Sequence, residues 1–507
     1  MMAISAGVAI YLGEETPDTG QEQHAASSSS DDQSNADSEL VHEDTTPEPE
    51  RPPEPPWLPE EKQAKVNEAI DRGVAWLRKK QTPEGYWAEP GDPLARIHPA
   101  SLAALPALTL LECGVAADDP QVAKAVEMVR AAVPQLNRTY DLSLAILLLD
   151  RLHEEEDRPR IRTMTLRLAA GQQPNGGWSY HCPILKEDEE LPLLTALEKT
   201  RPGSPLDLFQ QGEQSRELGL FVRVPNADGD AETAIVKKLE PLELVPEDPP
   251  RNGEKQPTSE LSEEERKKLL DSLPSSLRRV PALQEPSAFS LHEGNADNSN
   301  TQLAILALLV APRYDVALER TLALVVRRFH AEQRDDGLWT YGEARPSPPR
   351  PSMTGAGLLG LAVKYGLVLS SSRHRGQAVT IQDAAIDKGL KALSGYIGHP
   401  LLWGRSDSRE GVDRLTLYAM WSIERVGALY HLRTINGKEW YPWGVDLLLA
   451  RQEGDGAWRV GQYFDATAVI DTCFALLFLR RADFARDLSK KLEFFTEGKS
   501  LAKQESR

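Results

Sequence analysis

Residues 72–87, with the sequence RGVAWLRKKQTPEGYW, return in three further versions along the 507-residue chain. The other copies are RLAAGQQPNGGW at 167–178, RRFHAEQRDDGLW at 327–339 and GVDLLLARQEGDGAW at 444–458. Each copy ends a helix and adds a Gln, a Gly-containing turn and a Trp; the pairs are Gln81 and Trp87, Gln172 and Trp178, Gln333 and Trp339, and Gln452 and Trp458. Gly allows the positive φ that ends a helix, the Gln amide can bond free backbone groups there, and the Trp ring can pack against the next unit. These turns predict a helical repeat protein.

Helical periodicity begins at Glu60, and the helices are of two alternating kinds. Segments with a charged face, expected to lie outside, are 61–80, 121–133, 160–171, 316–333, 381–396 and 443–451. Segments that are apolar nearly all round, expected to lie inside, are 98–113, 140–152, 298–311, 352–365, 412–432 and 464–480. No pair can bury its own apolar face without neighbours, so the pattern predicts an all-α fold, a closed (α/α)6 toroid.

The four Gln–Trp turns resemble the QW repeats of the terpenoid cyclase and protein prenyltransferase superfamily, which includes squalene cyclase-like proteins with prenyltransferase and squalene oxidase repeats. The resemblance runs from about Glu60 to Leu488, with one long interruption. A fifth, degenerate repeat at 395–404 keeps Trp403 but lacks the Gln. The resemblance implies an all-α toroid whose chemistry takes place in a central cavity lined by the N-terminal halves of the inner helices.

The two ends and one internal stretch depart from the repeat pattern. Residues 1–13 are apolar, and two interpretations remain open: a clipped membrane anchor or export signal, or a hydrophobic end without function in an otherwise cytoplasmic protein. Residues 14–56 predict a disordered acidic linker. The toroid is expected at 57–182 and 297–488. An insertion at 183–296 is expected to be a partly disordered loop or a flap over one mouth, with a helix at 260–272 and a strand pair at 218–224; residues 489–507 form a charged tail.

Charge and cysteine content exclude some classes of function. The net charge is −19, and between Glu14 and Glu61 fifteen acidic residues stand against one basic residue. No basic patch of the kind that follows a phosphate backbone is visible, so nucleic acid is not an expected partner. The three cysteines, Cys113, Cys182 and Cys473, form no CxxC pair and indicate no disulfide framework. The sequence does not indicate an oligomeric state.

The chain lacks the catalytic acid motif of the polyene cyclases that it resembles. Those enzymes protonate their substrate with the middle Asp of a DxDD motif, because an alkene needs an acid from a crowded, buried cluster. This chain has no DxDD; its DD pairs are Asp31–Asp32, Asp118–Asp119 and Asp335–Asp336, none on an inner helix. Aromatic residues, which would face cationic intermediates, make up only 6% of the chain. Both observations count against a cyclase. The thioester-containing toroids are related in fold, but their CGEQ motif is also absent, so covalent acyl capture is not supported.

The resemblance to prenyltransferase β-subunits implies a zinc site. Those subunits hold zinc with a DxC pair and a His, and Asp471 and Cys473 on the last inner helix match the DxC. No His follows His431, so the third ligand would be His98, on the first inner helix, or His292. The alternative is structural: Cys473 packs as a small apolar residue and Asp471 caps or pairs locally, without a metal or other cofactor.

Polar residues at the starts of the inner helices predict a rim above an apolar cavity. The candidate ligand-binding residues are Asp141, Asn298, Asn300, Asp413, Arg414, Tyr418 and Asp465. The N-terminal end of a helix favours an anionic or carbonyl group. Helix capping by Asn298 or Ser299 explains the same pattern without a ligand.

The sequence leaves open whether the protein is an enzyme. The leading hypothesis is a binding or scaffold protein that kept the toroid and lost cyclisation, with an apolar small molecule, such as an isoprenoid, or a peptide in its cavity. The alternative is a terpenoid cyclase or mutase-like enzyme, or a zinc-dependent prenyltransferase-like enzyme.

Overall fold

The structure is a computed structural model, and it describes residues 56–203, 207–210, 220–223, 239–241, 261–342, 347–370, 379–381, 383–398, 416–460, 467–490 and 492. The predicted anchor and nearly all of the predicted linker lie outside these residues, as do Trp403, Asp413, Arg414 and Asp465. Within the described part, no helix combines the length and apolarity that a membrane crossing needs.

The secondary structure is mostly helical. In chain order the α-helices are α1 Glu60–Arg78, α2 Leu94–Ile97, α3 Pro99–Glu112, α4 Pro120–Ala132, α5 Thr139–Leu152, α6 Arg158–Gly171, α7 Glu187–Lys199, α8 Asp207–Gln210, α9 Glu263–Ser272, α10 Asn298–Leu308, α11 Glu319–Glu332, α12 Pro351–Ser370, α13 Ala384–Ser394, α14 Leu417–Leu429, α15 Trp440–Leu449 and α16 Ala468–Arg480. The strands are β1 Leu220–Arg223, β2 Leu239–Pro241, β3 Val379–Ile381, β4 Thr434–Ile435 and β5 Lys438–Glu439. Short 3-10 helices lie at Val133–Gln135, Glu155–Asp157, Pro281–Leu283, Pro286–Ala288 and Ala311–Tyr314.

The inner helices form a closed ring. In order around the ring they are α3, α5, α10, α12, α14 and α16; each contacts the next, and α16 packs back against α3. Their side chains are buried nearly all round, as the uninterrupted apolar segments predict. Helices α1, α4, α6, α11, α13 and α15 pack outside this ring and keep one polar face exposed. The predicted (α/α)6 toroid is therefore confirmed.

The glutamine of each Gln–Trp turn ties two outer helices together. Its Nε2 donates to the carbonyl of the glycine four residues later and to a carbonyl on the next outer helix around the ring. The second acceptors are Gln121 for Gln81 (2.8 Å), Thr321 for Gln172 (2.9 Å), Ala385 for Gln333 (2.8 Å) and Ala69 for Gln452 (2.8 Å). Because Ala69 belongs to α1, the last turn closes the outer ring on the first helix.

The tryptophan of each turn is buried and fastened to its own outer helix. In all four turns the indole Nε1 donates to the carbonyl ten residues earlier, at Leu77, Leu168, Phe329 and Leu448, over 2.7–2.9 Å. These carbonyls lie near helix C-termini, where the backbone acceptors lose their helical partners. The large rings are fully buried, so each turn both ends a helix and fills the core.

The two outer junctions that lack a Gln use a cation instead. Arg167 on α6 donates through Nη1 to the carbonyls of Val133 (2.6 Å) and Leu136 (3.0 Å), beyond the end of α4. Lys438 donates through Nζ to the carbonyls of Ser394 (2.8 Å) and Ile397 (2.9 Å), at the end of α13. Basic groups satisfy the last carbonyls of a helix and complement its dipole, so they serve the role that the glutamines serve elsewhere.

Helix capping differs from the prediction at several inner helices. The residue that caps α10 is Asp297, and it accepts from the backbone N–H groups of Ser299 (3.0 Å) and Asn300 (2.8 Å). Thr416 caps α14 and Thr467 caps α16. The predicted cap Asn298 is thus one residue late, and Asp141 lies inside the first turn of α5 rather than at its cap. A hydroxyl or carboxylate just before the helix reaches the free N–H groups better than a residue within it.

The insertion is partly helical. The expected helix near 260–272 is present as α9, and Ser262 and Glu265 form a capping box at its start. Of the strand pair expected near 218–224, one strand is present as β1. Its antiparallel partners, β2 and β3, both lie outside that range. Helix α7 was not predicted, although its acidic first turn, with Glu187, Asp188 and Glu189, is a helix-start signal.

Candidate functional site

A cavity of about 590 Å³ lies at the mouth of the ring where the inner helices begin. Its apolar lining consists of Leu94, Leu102, Leu105, Pro106, Leu144, Leu147, Leu303, Pro351, Met353, Ala419, Val469 and Ile470. Its polar lining consists of His98, Ser101, Ser299, Ser347, Arg350, Ser352 and Thr416, most of them at or just before the first turn of an inner helix. The cavity is therefore amphipathic, with polar groups concentrated at helix starts and apolar walls deeper in the ring.

Aromatic side chains are concentrated in this cavity. Tyr140, Tyr180, Tyr341, Tyr418, Trp421, Phe474 and Phe484 line it. The rings of Trp421 and Phe474 lie 5.0 Å apart between centroids, and the ring of Tyr418 lies 5.5 Å from that of Phe474. The low overall aromatic content was therefore a poor guide to the cavity, because composition averages over the whole chain whereas the toroid brings distant aromatic residues together.

A hydroxyl network occupies one side of the mouth. Tyr140 donates to Ser299 Oγ (2.9 Å), which donates in turn to the buried carboxylate of Asp297 (2.8 Å). The hydroxyl of Tyr341 lies 3.1 Å from Ser299 Oγ and 2.9 Å from the hydroxyl of Tyr180. Burial raises the pKa of Tyr140 and of Tyr341, so both phenols remain protonated donors at neutral pH.

A second polar group at the mouth is an imidazole held by a carboxylate. His98 Nδ1 lies 3.1 Å from Asp141 Oδ1, and Ser101 Oγ donates to the same oxygen. Asp141 is 4% exposed, whereas His98 lines the cavity. The carboxylate fixes the ring and favours the proton on Nδ1, which leaves Nε2 as an acceptor. This pair could bind a hydrogen-bond donor or act as a general base.

Some of the predicted rim residues lie at the cavity and others do not. Tyr418 lines the cavity and donates to Gln302 Oε1 (2.8 Å), and Asp141 acts through His98. Asn298 does not line it: its Nδ2 donates to Glu332 (2.9 Å), and its Oδ1 accepts from Arg328. Asn300 donates to Asp297 (2.8 Å) and is fully buried. Neither asparagine is among the described lining residues, and the printed bonds of their side-chain amides go to protein groups around the start of α10.

No carboxylate side chain is among the described residues that line the cavity. Two buried acids at the starts of inner helices, Asp297 and Asp141, accept hydrogen bonds from neighbouring side chains. The described lining therefore offers His98 and Arg350 as its ionisable groups apart from the tyrosines.

The suggested zinc ligands do not converge. His98 is bonded to Asp141, whereas Asp471 accepts from the backbone N–H of Val460 (2.7 Å), and Cys473 is fully buried beside Thr109. Burial raises the pKa of the Cys473 thiol, which disfavours the thiolate that zinc requires. The alternative ligand, His292, is exposed on the segment before α10. Among the described residues, His98, Asp471 and Cys473 do not form a cluster with ligand atoms close enough to hold one metal ion.

Among the described residues, one acidic cluster has ligand atoms close enough to hold a metal: Glu154, Glu156 and Asp157. Arg130 already occupies it, with its guanidinium 2.6 Å from Asp157 and 3.0 Å from Glu156. The cluster is an ion-pair network at the junction of α4 and α6, not a candidate metal centre.

Two charged residues that the sequence did not indicate lie behind the aromatic wall of the cavity and are not part of its lining. Trp421 and Phe484 line the cavity, and the guanidinium carbon of Arg425 lies 4.7 Å and 5.6 Å from the centroids of their rings. Arg425 is 6% exposed and the neighbouring Glu424 is fully buried. The spacing of Tyr418, Trp421 and Arg425 on one face of α14 was the available signal, because residues at i, i+3 and i+7 share a helix face.

The opposite mouth of the ring has a different character. A pocket of about 320 Å³ there is lined by charged residues at the ends of α3 and α5 and by the segment 483–490, which we call the closing segment. Arg313 joins Asp150 (2.7 Å) to Asp487 (2.6 Å), and Arg486 joins the closing segment to Glu112 (2.9 Å). Phe484, on this segment, lines both the pocket and the cavity. The lumen therefore has polar groups at the helix-start mouth, apolar and aromatic walls within, and charged groups at the other mouth.

The chain is structurally similar to type II terpene cyclase MstE from Scytonema. An Asp-to-Asn variant of MstE in complex with geranylgeranyl dihydroxybenzoate, described as the substrate, matches with a TM-score of 0.40 and 12% identity over 86% of this chain and 100% of that chain. An Arg-to-Ala variant with the same compound matches with a TM-score of 0.39 and 12% identity over 84% and 99% of the two chains. No family model and no curated protein matches the sequence. The assignment of the toroid rests on the ring contacts described above.

Proposed function

We propose that the protein binds an apolar small molecule, such as an isoprenoid, in the cavity at the start of the inner helices and does not cyclise it. The observation that carries the proposal is a cavity of about 590 Å³ whose walls are apolar and aromatic and whose described lining contains no carboxylate. A volume of this size lies within the range of roughly 300–1,000 Å³ that small-molecule sites occupy.

The apolar wall supplies the driving force for binding. Each methylene group that leaves water contributes about 0.8 kcal/mol, so a chain of ten such groups gains about 8 kcal/mol before the costs of immobilisation. The polar groups at the helix starts, including His98, Ser299 and Tyr341, add directional bonds near the mouth. The ligand that suits this distribution is a long apolar chain with few polar atoms.

No Asp or Glu is among the described residues that line the cavity, which favours binding over cyclisation. Protonation of an alkene needs a carboxylic acid that points at the substrate. Asp297 is covered by Ser299 and Asn300, and Asp141 is engaged by His98 and Ser101. Both carboxylates serve as acceptors for protein donors, so neither is arranged to donate a proton into the cavity.

A terpenoid cyclase or mutase-like enzyme is the second candidate, and the aromatic wall favours it. Tyr418, Trp421 and Phe474 form a continuous cluster of rings, and aromatic faces stabilise cations. The His98–Asp141 pair could accept a proton at the end of such a reaction. The zinc-dependent alternative finds no support, because Asp471, Cys473 and His98 do not form one site.

The test is a titration of the purified full-length protein with farnesol, followed by tryptophan fluorescence. Ala419 lines the cavity and is 2% exposed, so Ala419→Phe places a ring in the binding volume. We expect this variant to weaken farnesol binding at least tenfold. The matched control is Ala131→Phe on the exposed face of α4, which should bind as the wild type does.

Equal affinity of the wild type and Ala419→Phe would show that farnesol does not occupy this cavity. Absence of binding to the wild type would contradict the proposal for isoprenoids and favour a scaffold that recognises a peptide or protein. Conversion of an acyclic polyene to a ring product would favour the second candidate.

A further inference from the structure

One imidazole nitrogen at the mouth of the cavity has no hydrogen-bond partner among the described residues. His98 lines the cavity, and 20% of its side chain is exposed. Its Nδ1 lies 3.1 Å from Asp141 Oδ1, whereas its Nε2 bonds to no described residue. Several buried polar atoms of the described residues also lack a partner, but Nε2 is not among them, so this atom keeps accessible surface. A ligand at the mouth can therefore reach it.

The contact with Asp141 determines what Nε2 offers to a ligand. A carboxylate accepts hydrogen bonds and does not donate them, so the nitrogen that faces it carries the ring proton. The neutral ring holds one proton, which leaves Nε2 with a lone pair. Asp141 is 4% exposed and also accepts from Ser101 Oγ, so two side chains bond to it from the lining. His98 thus presents an acceptor to the mouth, not a donor.

Three hydroxyl groups of the lining already donate to the protein. Tyr140 donates to Ser299 Oγ (2.9 Å), which donates to the buried carboxylate of Asp297 (2.8 Å). Tyr418 donates to Gln302 Oε1 (2.8 Å), and Gln302 is fully buried. Each hydroxyl has one hydrogen, so these groups have none to offer to His98. Because no other described residue bonds to Nε2, its donor must come from water or from a ligand.

Arg350 is the other ionisable residue of the described lining apart from the tyrosines, and it belongs to another side of the ring. It immediately precedes α12, which α5 and α10 separate from α3. Arg350 is exposed, and water and salt weaken the interactions of an exposed charge. The described part of the mouth therefore has a screened cation on one side and an accessible acceptor on the other.

We propose that His98 receives the hydroxyl group of an apolar alcohol, which binds with its head at the mouth and its chain in the cavity. The inference rests on the proposed function and specifies its ligand class: a primary alcohol with a long hydrocarbon or isoprenoid chain. The hydroxyl donates to Nε2 of His98, and Asp141 acts as a positioning residue that holds the ring. The chain lies against the apolar lining, which includes Leu102, Leu105 and Leu144.

The experiment compares farnesol with farnesyl methyl ether on the full-length protein at pH 8, by tryptophan fluorescence. The ether oxygen accepts hydrogen bonds but cannot donate one, so the ether leaves Nε2 without a donor. A site that bonds a hydroxyl group discriminates strongly against an analogue that lacks its hydrogen. We expect the wild type to bind the alcohol at least tenfold more tightly, although the additional methyl group of the ether favours its burial.

Two substitutions at position 98 keep a donor toward Asp141 but differ in what they present to the mouth. His98→Gln donates from its amide N–H to the carboxylate and keeps its amide oxygen as an acceptor. We expect this variant to prefer the alcohol at least threefold. His98→Lys pairs with Asp141 and has donors only, so we expect it to bind the ether at least as tightly as the alcohol. Retained binding of the ether would show that the cavity of this variant is intact.

A second imidazole provides the matched control. His181 is exposed and lies near enough to His98 to interact with it electrostatically, but it is not among the described lining residues. His181→Leu should keep the wild-type preference for the alcohol, because the acceptor at His98 is unchanged.

The outcomes distinguish the role of His98 from the proposed function. If the wild type binds both ligands with equal affinity, or if His98→Lys keeps the wild-type preference, the assignment of His98 is wrong while cavity binding stands. If the wild type binds neither ligand, the proposed function fails for isoprenoids and the assignment fails with it. Preference for the alcohol in the wild type, His98→Gln and His181→Leu, together with its loss in His98→Lys, supports the assignment.

Discussion

The Gln and the Trp of all four Gln–Trp turns make the same side-chain to backbone hydrogen bonds. Each Gln donates to one carbonyl within its turn and one on the next outer helix, and each Trp donates to the carbonyl ten residues before it. The sequence predicted that these residues join helices, since the side chains at these spacings have few other uses. It did not indicate Arg167 and Lys438, because a lone cation in a helical segment is usually on the surface.

The most buried of the four glutamines, Gln172, gives a direct test of this arrangement. Gln172 is 4% exposed and its Nε2 donates to the carbonyls of Gly176 and Thr321, both at 2.9 Å. We expect Gln172→Ala to lower the free energy of unfolding by about 2–3 kcal/mol, since two acceptors lose their donor. Urea denaturation measures the change. The control, Gln135→Ala at an exposed glutamine, should stay within about 0.5 kcal/mol of the wild type.

Glu424 predicts a pH dependence of stability. The folded state holds its proton more tightly than the unfolded chain, in which the carboxyl titrates near the ordinary pKa of 4.5. Raising the pH above 4.5 therefore favours the unfolded state at this position, and the penalty grows until the folded pKa is reached. Glu424→Gln removes this effect. We expect the stability of the variant relative to the wild type to rise between about pH 5 and pH 8, measured by urea denaturation at each pH. Parallel curves would contradict a protonated, buried Glu424.

A Gln–Trp turn can pack closely against the next outer helix because its glycine has no side chain. Gly176 has φ +77° in the second Gln–Trp turn, and a Cβ there would lie 2.3 Å from the carbonyl oxygen of Leu324 on α11. Sequence alone predicted the turn, because a Gly after Gln and before Trp recurs. It could not predict which outer helix lies against the turn, since the insertion separates α6 from α11 along the chain.

A pair of glycine substitutions separates backbone strain from helix contact. Gly114 has φ +89°, but a Cβ there meets no atom of the described residues within 4 Å. Gly114→Ala should therefore cost only the strain of a left-handed residue, about 1–2 kcal/mol. Gly176→Ala should lower the midpoint of urea denaturation markedly more, because the added methyl group also pushes α11 away. Similar midpoints for the two variants would contradict the close contact.

The inner helices, all within the described residues from Pro56 onward, form a closed ring with an amphipathic cavity at one mouth and a charged pocket at the other. The stacking of helix pairs was predictable, since a pair of apolar and amphipathic helices needs neighbours on both sides to cover its apolar face. The cavity was not predictable, because its side chains come together only when the ring closes. His98 and Asp141 belong to neighbouring inner helices, and Arg425 lies against rings from α14 and the closing segment. The zinc hypothesis failed for the same reason, since residues matched by motif proved to face different surroundings.

The most direct test of the account is mass spectrometry of an organic extract of the purified full-length protein, before and after incubation with an acyclic polyene. If the cavity binds without cyclising, the extract contains an apolar compound at nearly one molecule per chain, and the added polyene is recovered unchanged. A ring-containing product that accumulates beyond one molecule per chain would contradict the account and identify the protein as a cyclase.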